Sequence, residues 1–359
     1  MAVTKVTPAG LTTSQIGRNL IDNGAMTVDQ RGGASGAANH YTLDRWLWNQ
    51  SSGDTCTKSQ DTTVPSGAGF GYSFKIDVTG AGGGAGSAEY DVMYHRMEGQ
   101  NLQHLEYGTS SAKTLVLSFW FRSPKTGTHC VALYNEGDRS YIREFTIASA
   151  DTFEYFSMTF PGDTGGTINN DTGTGLELIF PLQAGSNFQA TANQWASGQD
   201  WATSNQQNLL DSTSNNIYFT GVQLEVGDGV TNAPTDFEFE DYGTTLRKCQ
   251  RYFYRIERTA ADGIGDFGNG FCASTTQAYC LVPFPVTMRA QPSQAVSAVD
   301  DFQLRHTNTS STTTNARYVG GSFNEAFPYF DVSSGLTAGQ GTMVNITSNG
   351  DYIQWTAEI

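Results

Sequence analysis

From Thr114 to Ser123 the chain reads TLVLSFWFRS. Leu115, Leu117, Phe119 and Phe121 fall on one side of an extended chain; Val116, Ser118, Trp120 and Arg122 fall on the other. This period of two describes a strand with one face in a core. Burying that face contributes ~1.5–3 kcal/mol per large side chain. The second face, which mixes an aromatic ring with a charge, suits solvent or a ligand. The pattern recurs. Phe70, Tyr72, Phe74 and Ile76 alternate in GFGYSFKIDV, and HCVALYN, YIREFTI, TFEYFSMTFP and GLELIFPL follow between residues 129 and 182. Forty Gly, 12% aromatic residues and only 20 Lys plus Arg favour short strands and many turns over helices.

The stretch from Ile217 to Arg255 divides the chain. It begins as a strand with Ile217, Phe219, Gly221 and Gln223 expected on one face and Tyr218, Thr220, Val222 and Leu224 on the other. Gly227, Asp228, Gly229, Asn232 and Pro234 break it. A short helix is expected to open near Asp241, with Leu246, Cys249 and Phe253 as its inward stripe. Beyond it, Gln277–Ser293 reads as one strand, YVGGSF, YFDV, GTMVNIT and DYIQWTAEI as others, and Asn269-Gly270 and Asn349-Gly350 as hairpin turns. Near the other end, Asn23-Gly24 reads as a turn. The expected fold is all-β. Residues 1–18 form an exposed arm, 19–240 a β-sandwich, and 241–359 a short helix plus a smaller β domain.

Several function classes are disfavoured. A net charge of −15 opposes binding to nucleic acid or to anionic lipid. Five scattered Cys with no CxxC pair argue against a disulfide framework and against structural zinc, so buried free thiols in a reducing cytoplasm are expected. The first residues hold no continuous apolar run, so no secretory signal is expected, and no run of ~18 apolar residues predicts a membrane span. The five His show no HExxH or HxH spacing, and no GxSxG occurs. Gly263 to Gly268 fits GxGxxG but has no βαβ setting, and the Gly-rich run Thr79–Ala88 lacks a Gly-Lys-Ser/Thr ending; both read as loops. Glu136, Asp138, Glu154 and Glu177 lie in or beside the best strands, yet among 35 acidic residues their spacing does not single out a hydrolase pair. Asp228, Asp236, Glu238, Glu240 and Asp241 could hold Ca²⁺ or form a solvated turn, and the turn is the reading adopted. No cofactor, metal or catalytic residue is expected.

The candidate ligand contacts are aromatic, because an indole face suits the C–H face of a pyranose. Trp46 and Trp48 share a strand face and are read as core. Trp120 lies on the mixed face of its strand. Trp195 and Trp201 lie in a polar stretch from Gln183 to Asn208, either as exposed platforms or packed on the sheet. Trp120, Trp195 and Trp201 are the glycan-binding candidates.

The segments NLIDNGAMTVDQRG and YTLDRWLW resemble the opening of a group of bacteriophage tail-fibre-like virion proteins. TLVLSFWFRSPKTGTHCVALYN and YIREFTIASADTFEYFSMTFPGDT resemble that family's jelly-roll core, which is like a carbohydrate-binding module. GVQLEVG followed by APTDFEFEDYGTTLRKCQRYFYR is similar to its closing signature and helix. FPVTMRAQPS and DYIQWTAEI resemble the small β domain that often follows. The resemblance spans roughly residues 19–359. It implies a jelly-roll sandwich in a non-enzymatic virion protein, a homotrimer that touches other virion proteins and host-surface glycans. No long stalk precedes the sandwich, so a capsid decoration, head-fibre or tail adaptor protein is the alternative, and a polysaccharide depolymerase a more distant one.

Overall fold

The computed structural model describes residues 17–260, 265–306 and 309–359. Most of the 1–18 arm, and the first two residues of the GxGxxG match, lie outside the described residues. The chain divides into two compact units. The first takes the described residues up to Thr27, then Gly33–Thr42 and Trp46–Asp241; the second takes Val28–Gly32, Leu43–Arg45 and Tyr242–Ile359.

The first unit is a jelly-roll sandwich of two antiparallel sheets. Its strands are β1 (His40–Tyr41), β2 (Trp46–Gln50), β3 (Thr55–Asp61), β4 (Ser73–Gly80), β5 (Tyr90–Glu98), β6 (Leu115–Arg122), β7 (Gly127–Asn135), β8 (Arg139–Ile147), β9 (Glu154–Phe160), β10 (Thr174–Ala184), β11 (Trp195–Ser197) and β12 (Asn216–Val226). One sheet runs β1-β2-β5-β10-β7-β8-β11 and the other β3-β4-β12-β6-β9, so the chain crosses repeatedly from one to the other. Rings from both inner faces interlock: Phe219 of β12 lies 5.2 Å from Trp46 and 5.4 Å from Phe180, and Phe119 of β6 lies 5.3 Å from Phe145. Leu115, Leu117, Phe119 and Phe121 are all buried, as their alternation predicts. Trp46 and Trp48 are fully buried and belong to the core.

β12 departs from simple alternation. Ile217 and Phe219 point inward, and after them so do Val222 and Leu224. The register against β6 slips between Thr220 and Gln223. Gly221 takes φ +64°, and a Cβ there would meet the Phe70 ring at 2.5 Å. The slip is a bulge that only glycine accommodates. It changes the facing residues from odd to even, which corrects the expected pairing of Gly221 and Gln223 with the Phe219 face. Past the bulge the N-terminal segment pairs with β12, through Leu20 N–H to Leu224 O at 2.8 Å and Val222 N–H to Gly24 O at 3.0 Å.

The second unit opens with α1 (Tyr242–Gln250), the one α-helix among the described residues. Its strands are β13 (Phe253–Glu257), β14 (Asp266–Cys272), β15 (Gln277–Pro283), β16 (Ser293–Val296), β17 (Phe302–His306), β18 (Thr309–Thr312), β19 (Asn315–Gly321), β20 (Glu325–Asp331), β21 (Gly341–Ile346) and β22 (Tyr352–Thr356). They form sheets β13-β22-β16 and β18-β17-β21-β14-β15-β20-β19 around a core that includes Phe302, Phe330 and Trp355. On α1 the buried positions are Thr245 and Cys249, with Leu246 half-buried; Phe253 is buried but already in β13. Gln277–Ser293 is not one strand. β15 stops at Pro283, whose missing N–H ends the ladder, and β16 begins at Ser293. Asn269-Gly270 is no turn either. It sits mid-strand in β14, where a Cβ at Gly270 would collide with the Tyr279 carbonyl of β15. Asn349-Gly350 does turn, with Gly350 at φ +88°.

Residues 28–32 and 43–45 fall in the second unit although they precede most of the first in sequence. Arg31 and Arg45 each reach a different oxygen of Glu358, both at 2.6 Å. Their guanidinium groups lie over Phe253 and Tyr252, at 3.7 and 3.4 Å from the ring centroids. Gln30 donates from its backbone and its side chain to Asp44, both at 2.7 Å. Burial pushes the Asp44 carboxyl up to about 6, against the pull of Arg31 and Gln30. No helix among the described residues is long and apolar enough to cross a membrane.

Candidate functional site

The outward face of the five-stranded sheet carries the aromatic residues that β6 predicts. Its register sets Tyr218 of β12 between Lys75 of β4 and Arg122 of β6, and sets Trp120 between Thr220 and Tyr155. Because these residues alternate with core residues, all of them point away from the inner face. Trp120 and Tyr155 lie 5.3 Å apart with their planes tilted by 52°. Tyr155 is 46% exposed and Trp120 is half-buried. The Arg122 guanidinium lies 5.0 Å from the Tyr218 ring centroid and 3.7 Å from Asp151, and Phe153 flanks the same ring at 6.2 Å. Ser118 and Ser157 face each other one step along. The result is a strip on which Tyr155 and Ser157 are exposed and Trp120, Lys75 and Arg122 half-buried, while Tyr218, Ser118 and Thr220 are buried. A sugar needs an apolar surface for its C–H face and donors for its hydroxyls.

The three candidate tryptophans occupy three settings. Trp120 is on this strip. Trp195 is half-buried on the edge strand β11; its Nε1–H donates to Pro161 O at 2.7 Å, and its ring packs edge-on to Tyr141 at 5.4 Å. Trp201 is only 3% exposed. It stacks flat on Phe188 at 4.7 Å and meets Tyr90 edge-on at 4.6 Å, so the long polar stretch folds back and packs its aromatics on the seven-stranded sheet. As a surface platform Trp201 is therefore corrected: its ring is used in packing. Sequence reasoning missed Tyr155 and Tyr218; their strand pairing with Trp120 and Arg122 is a long-range fact that alternation alone does not carry.

Three of the four acidic residues weighed for catalysis have structural partners. Glu177 pairs with Arg96 at 2.7 Å, and burial raises its carboxyl despite that arginine. Glu154 accepts from the backbone N–H groups of Ala148 and Ser149. Asp138 accepts from Tyr134 Oη at 3.2 Å. Glu136 is raised by partial burial and by Asp171. An open polar cleft of about 580 Å³ lies under the Gln183–Asn208 stretch, lined by Glu144, Gln189, Asn193, Thr203 and Asn205 among others, with no aromatic ring in its wall. Among the acids from Asp228 to Asp241, Asp228 Oδ1 collects the backbone N–H groups of Val230, Thr231 and Asn232, which hold its carboxyl down at about 2. Glu225 pairs with Arg18, and Glu238 accepts from Gly17 and Asn19. These acids close a turn and fasten the N-terminal segment. Among the described residues no three His, Cys, Asp or Glu side chains gather into a metal-binding group, and all five cysteines are buried outside any disulfide.

The second unit has an aromatic face of another kind. On its seven-stranded sheet Tyr279 lies 5.6 Å from Phe271, 5.5 Å from Phe327 and 5.4 Å from Tyr329. Phe271, Leu281 and Met343 on the same side are exposed, Phe271 by 48%. Ion pairs Arg305–Asp266 and Arg317–Asp331 border the patch.

No family model matches the chain, and no curated protein matches it. Solved structures do. The enzymatically active domain of tailspike protein 4 from bacteriophage CBA120 is 13% identical with a TM-score of 0.34, over 58% of this chain and 21% of that one. A putative sugar binding protein from Bacteroides thetaiotaomicron is 12% identical, TM-score 0.32, over 58% of this chain and 99% of that one. A family 11 carbohydrate-binding module from Clostridium thermocellum is 10% identical, TM-score 0.28, over 54% and 95%. This chain thus spans about a fifth of the tailspike chain's length. At such distances the functional reading rests on the residues of the strip itself.

Proposed function

We propose that the chain is a non-catalytic, glycan-binding component of a bacteriophage virion, of tail-fibre type, which lays host-surface sugar along the outward face of the five-stranded sheet. The observation that carries the glycan part is the strip on which the paired rings of Trp120 and Tyr155 sit beside Tyr218 and its flanking cations Arg122 and Lys75. The virion part is supported by the sequence resemblance, above all by GVQLEVG and the helix segment behind it. The 1–18 arm is the attachment segment in this reading. A glycan array with the purified chain tests it: binding to a defined set of sugars that falls at least tenfold in Trp120→Ala is expected. An array with no binder, or a binder indifferent to Trp120, contradicts it.

A second reading, that of a decoration or adaptor protein with only virion partners, is favoured by the exposed ladder of Phe271, Tyr279, Leu281 and Met343 in the second unit. Under it that face is covered by another copy of the chain in a homotrimer. Sedimentation of the wild type against Phe271→Ser separates the two: dissociation on substitution supports an intersubunit face, and a monomeric wild type removes it.

A further inference from the structure

We infer that Asp54, Asp91 and Gln183 form a calcium site inside the first unit. The three residues lie far apart in sequence: Asp54 just before β3, Asp91 in β5, and Gln183 in β10 where its register against β5 slips after Pro181. The fold brings them into contact. Gln183 Nε2–H donates to Asp54 Oδ2 at 2.5 Å and also to Asp91 Oδ2. The side chains are withdrawn from solvent, with Asp54 3%, Asp91 0% and Gln183 2% exposed.

Asp54 Oδ1, Asp91 Oδ1 and Gln183 Oε1 have no hydrogen-bond partner, and Ser52 is the other donor to the Asp91 carboxyl besides Gln183. Each such buried oxygen costs ~1–3 kcal/mol, more where the group is charged. Lys58 is the nearby cation, but its ammonium donates to Ala37 O at 2.9 Å and Cys56 O at 3.0 Å, and no ion pair joins it to either carboxylate. Two buried carboxylates linked through one amide are therefore short of positive charge. The two ends of a glutamine amide have the same shape, so Gln183 can turn its oxygen toward both aspartates.

The donors are all oxygen, two anionic and one neutral. That set selects a hard cation over zinc, which takes nitrogen and sulfur. Calcium accepts irregular oxygen shells, whereas magnesium demands near-octahedral geometry and keeps its water. The Gly-rich loop contributes too. A Cβ at Gly82 would collide with Asp54 Oδ1, so glycine lets the loop backbone pass directly against that oxygen. This gives the Thr79–Ala88 run a specific role at its fourth residue.

The test uses the full chain, stripped with EDTA, and requires no sugar, so its outcome is separate from that of the glycan reading. Added CaCl₂ is expected to raise the Tm by roughly 5–10 °C at a hundredfold excess over Kd, with one saturable site, and MgCl₂ to do far less. Asp54→Asn and Asp91→Asn should each weaken calcium binding at least tenfold. Asp228→Asn, in the exposed turn, should leave it unchanged. Should either cluster variant fail to fold, terbium luminescence on the wild type, displaced by calcium, reads the same site. Absence of any Tm shift and of terbium binding at millimolar calcium overturns the inference. So does a calcium response that survives both cluster substitutions or is abolished by Asp228→Asn.

Discussion

The two units both turn an aromatic sheet face outward, and the faces are built to different rules. In the first, rings alternate with charge and hydroxyl: Trp120 with Tyr155, Tyr218 between Arg122 and Lys75, Ser118 opposite Ser157. In the second, rings touch rings, and Phe271, Tyr279, Phe327 and Tyr329 make an unbroken ladder with Leu281 and Met343 beside it. A polyhydroxylated ligand needs the first pattern, because its hydroxyls must keep hydrogen-bond partners when they leave water. A protein partner gains most from the second, where contiguous apolar area is removed from water at ~25 cal/mol per Å². Aromatic content alone does not separate the two; the residues between the rings do.

The strongest way to break the first face is through its backbone. Gly221→Ala puts a side chain at positive φ and against the Phe70 ring, beside the residue that pairs with Trp120. Denaturant unfolding should show a loss of about 2–4 kcal/mol. A change under ~0.5 kcal/mol would mean that the bulge relaxes and does not fix the strip. Next in size, Trp120→Ala with Tyr155→Ala should weaken glycan binding roughly thirtyfold, near 2 kcal/mol, while the far-ultraviolet spectrum is kept. In the second unit, Phe271→Ser should weaken self-association by about tenfold and leave sugar binding per protomer unaltered. Loss of sugar binding in that variant would reverse the assignment of the two faces.

The last comparison takes a buried acid from each unit. Burial raises Asp91 in the first and Asp44 in the second from 3.8 to about 6. The folded chain then holds its protons more tightly than the unfolded chain. The stabilisation is fully present below about pH 4, and is lost as pH rises through 6, with a slope of at most ~1.4 kcal/mol per pH unit for each group. Asn at either position should flatten its share of that slope in calcium-free stability curves. Calcium should flatten the Asp91 share alone.

Much of this architecture was legible in the sequence because it is local. The alternation of Leu115 to Phe121 predicted its own buried face, and the break after Val226 marked the end of the sandwich. Other features are set by contacts far along the chain. Gly221 hid a bulge, although the shift of apolar residues from 217 and 219 to 222 and 224 was the available sign. Asn269-Gly270 carried a turn signal, but its glycine serves close strand approach. The membership of residues 28–32 and 43–45 in the second unit depends on Glu358, more than 300 residues away. Of the proposed strip, the outward placement of Trp120 could be read from its strand face alone. Tyr155 and Tyr218 came only with the pairing of β6 to its two neighbours, and Trp201 was drawn into packing by Phe188.

The most direct test of the glycan strip reads the six indole N–H signals of a ¹⁵N-labelled chain during titration with the best sugar from the array. The Trp120 signal is expected to move with saturation, while those of the buried Trp46, Trp48, Trp201 and Trp355 stay in place. Saturable binding with a stationary Trp120 signal would contradict that expectation.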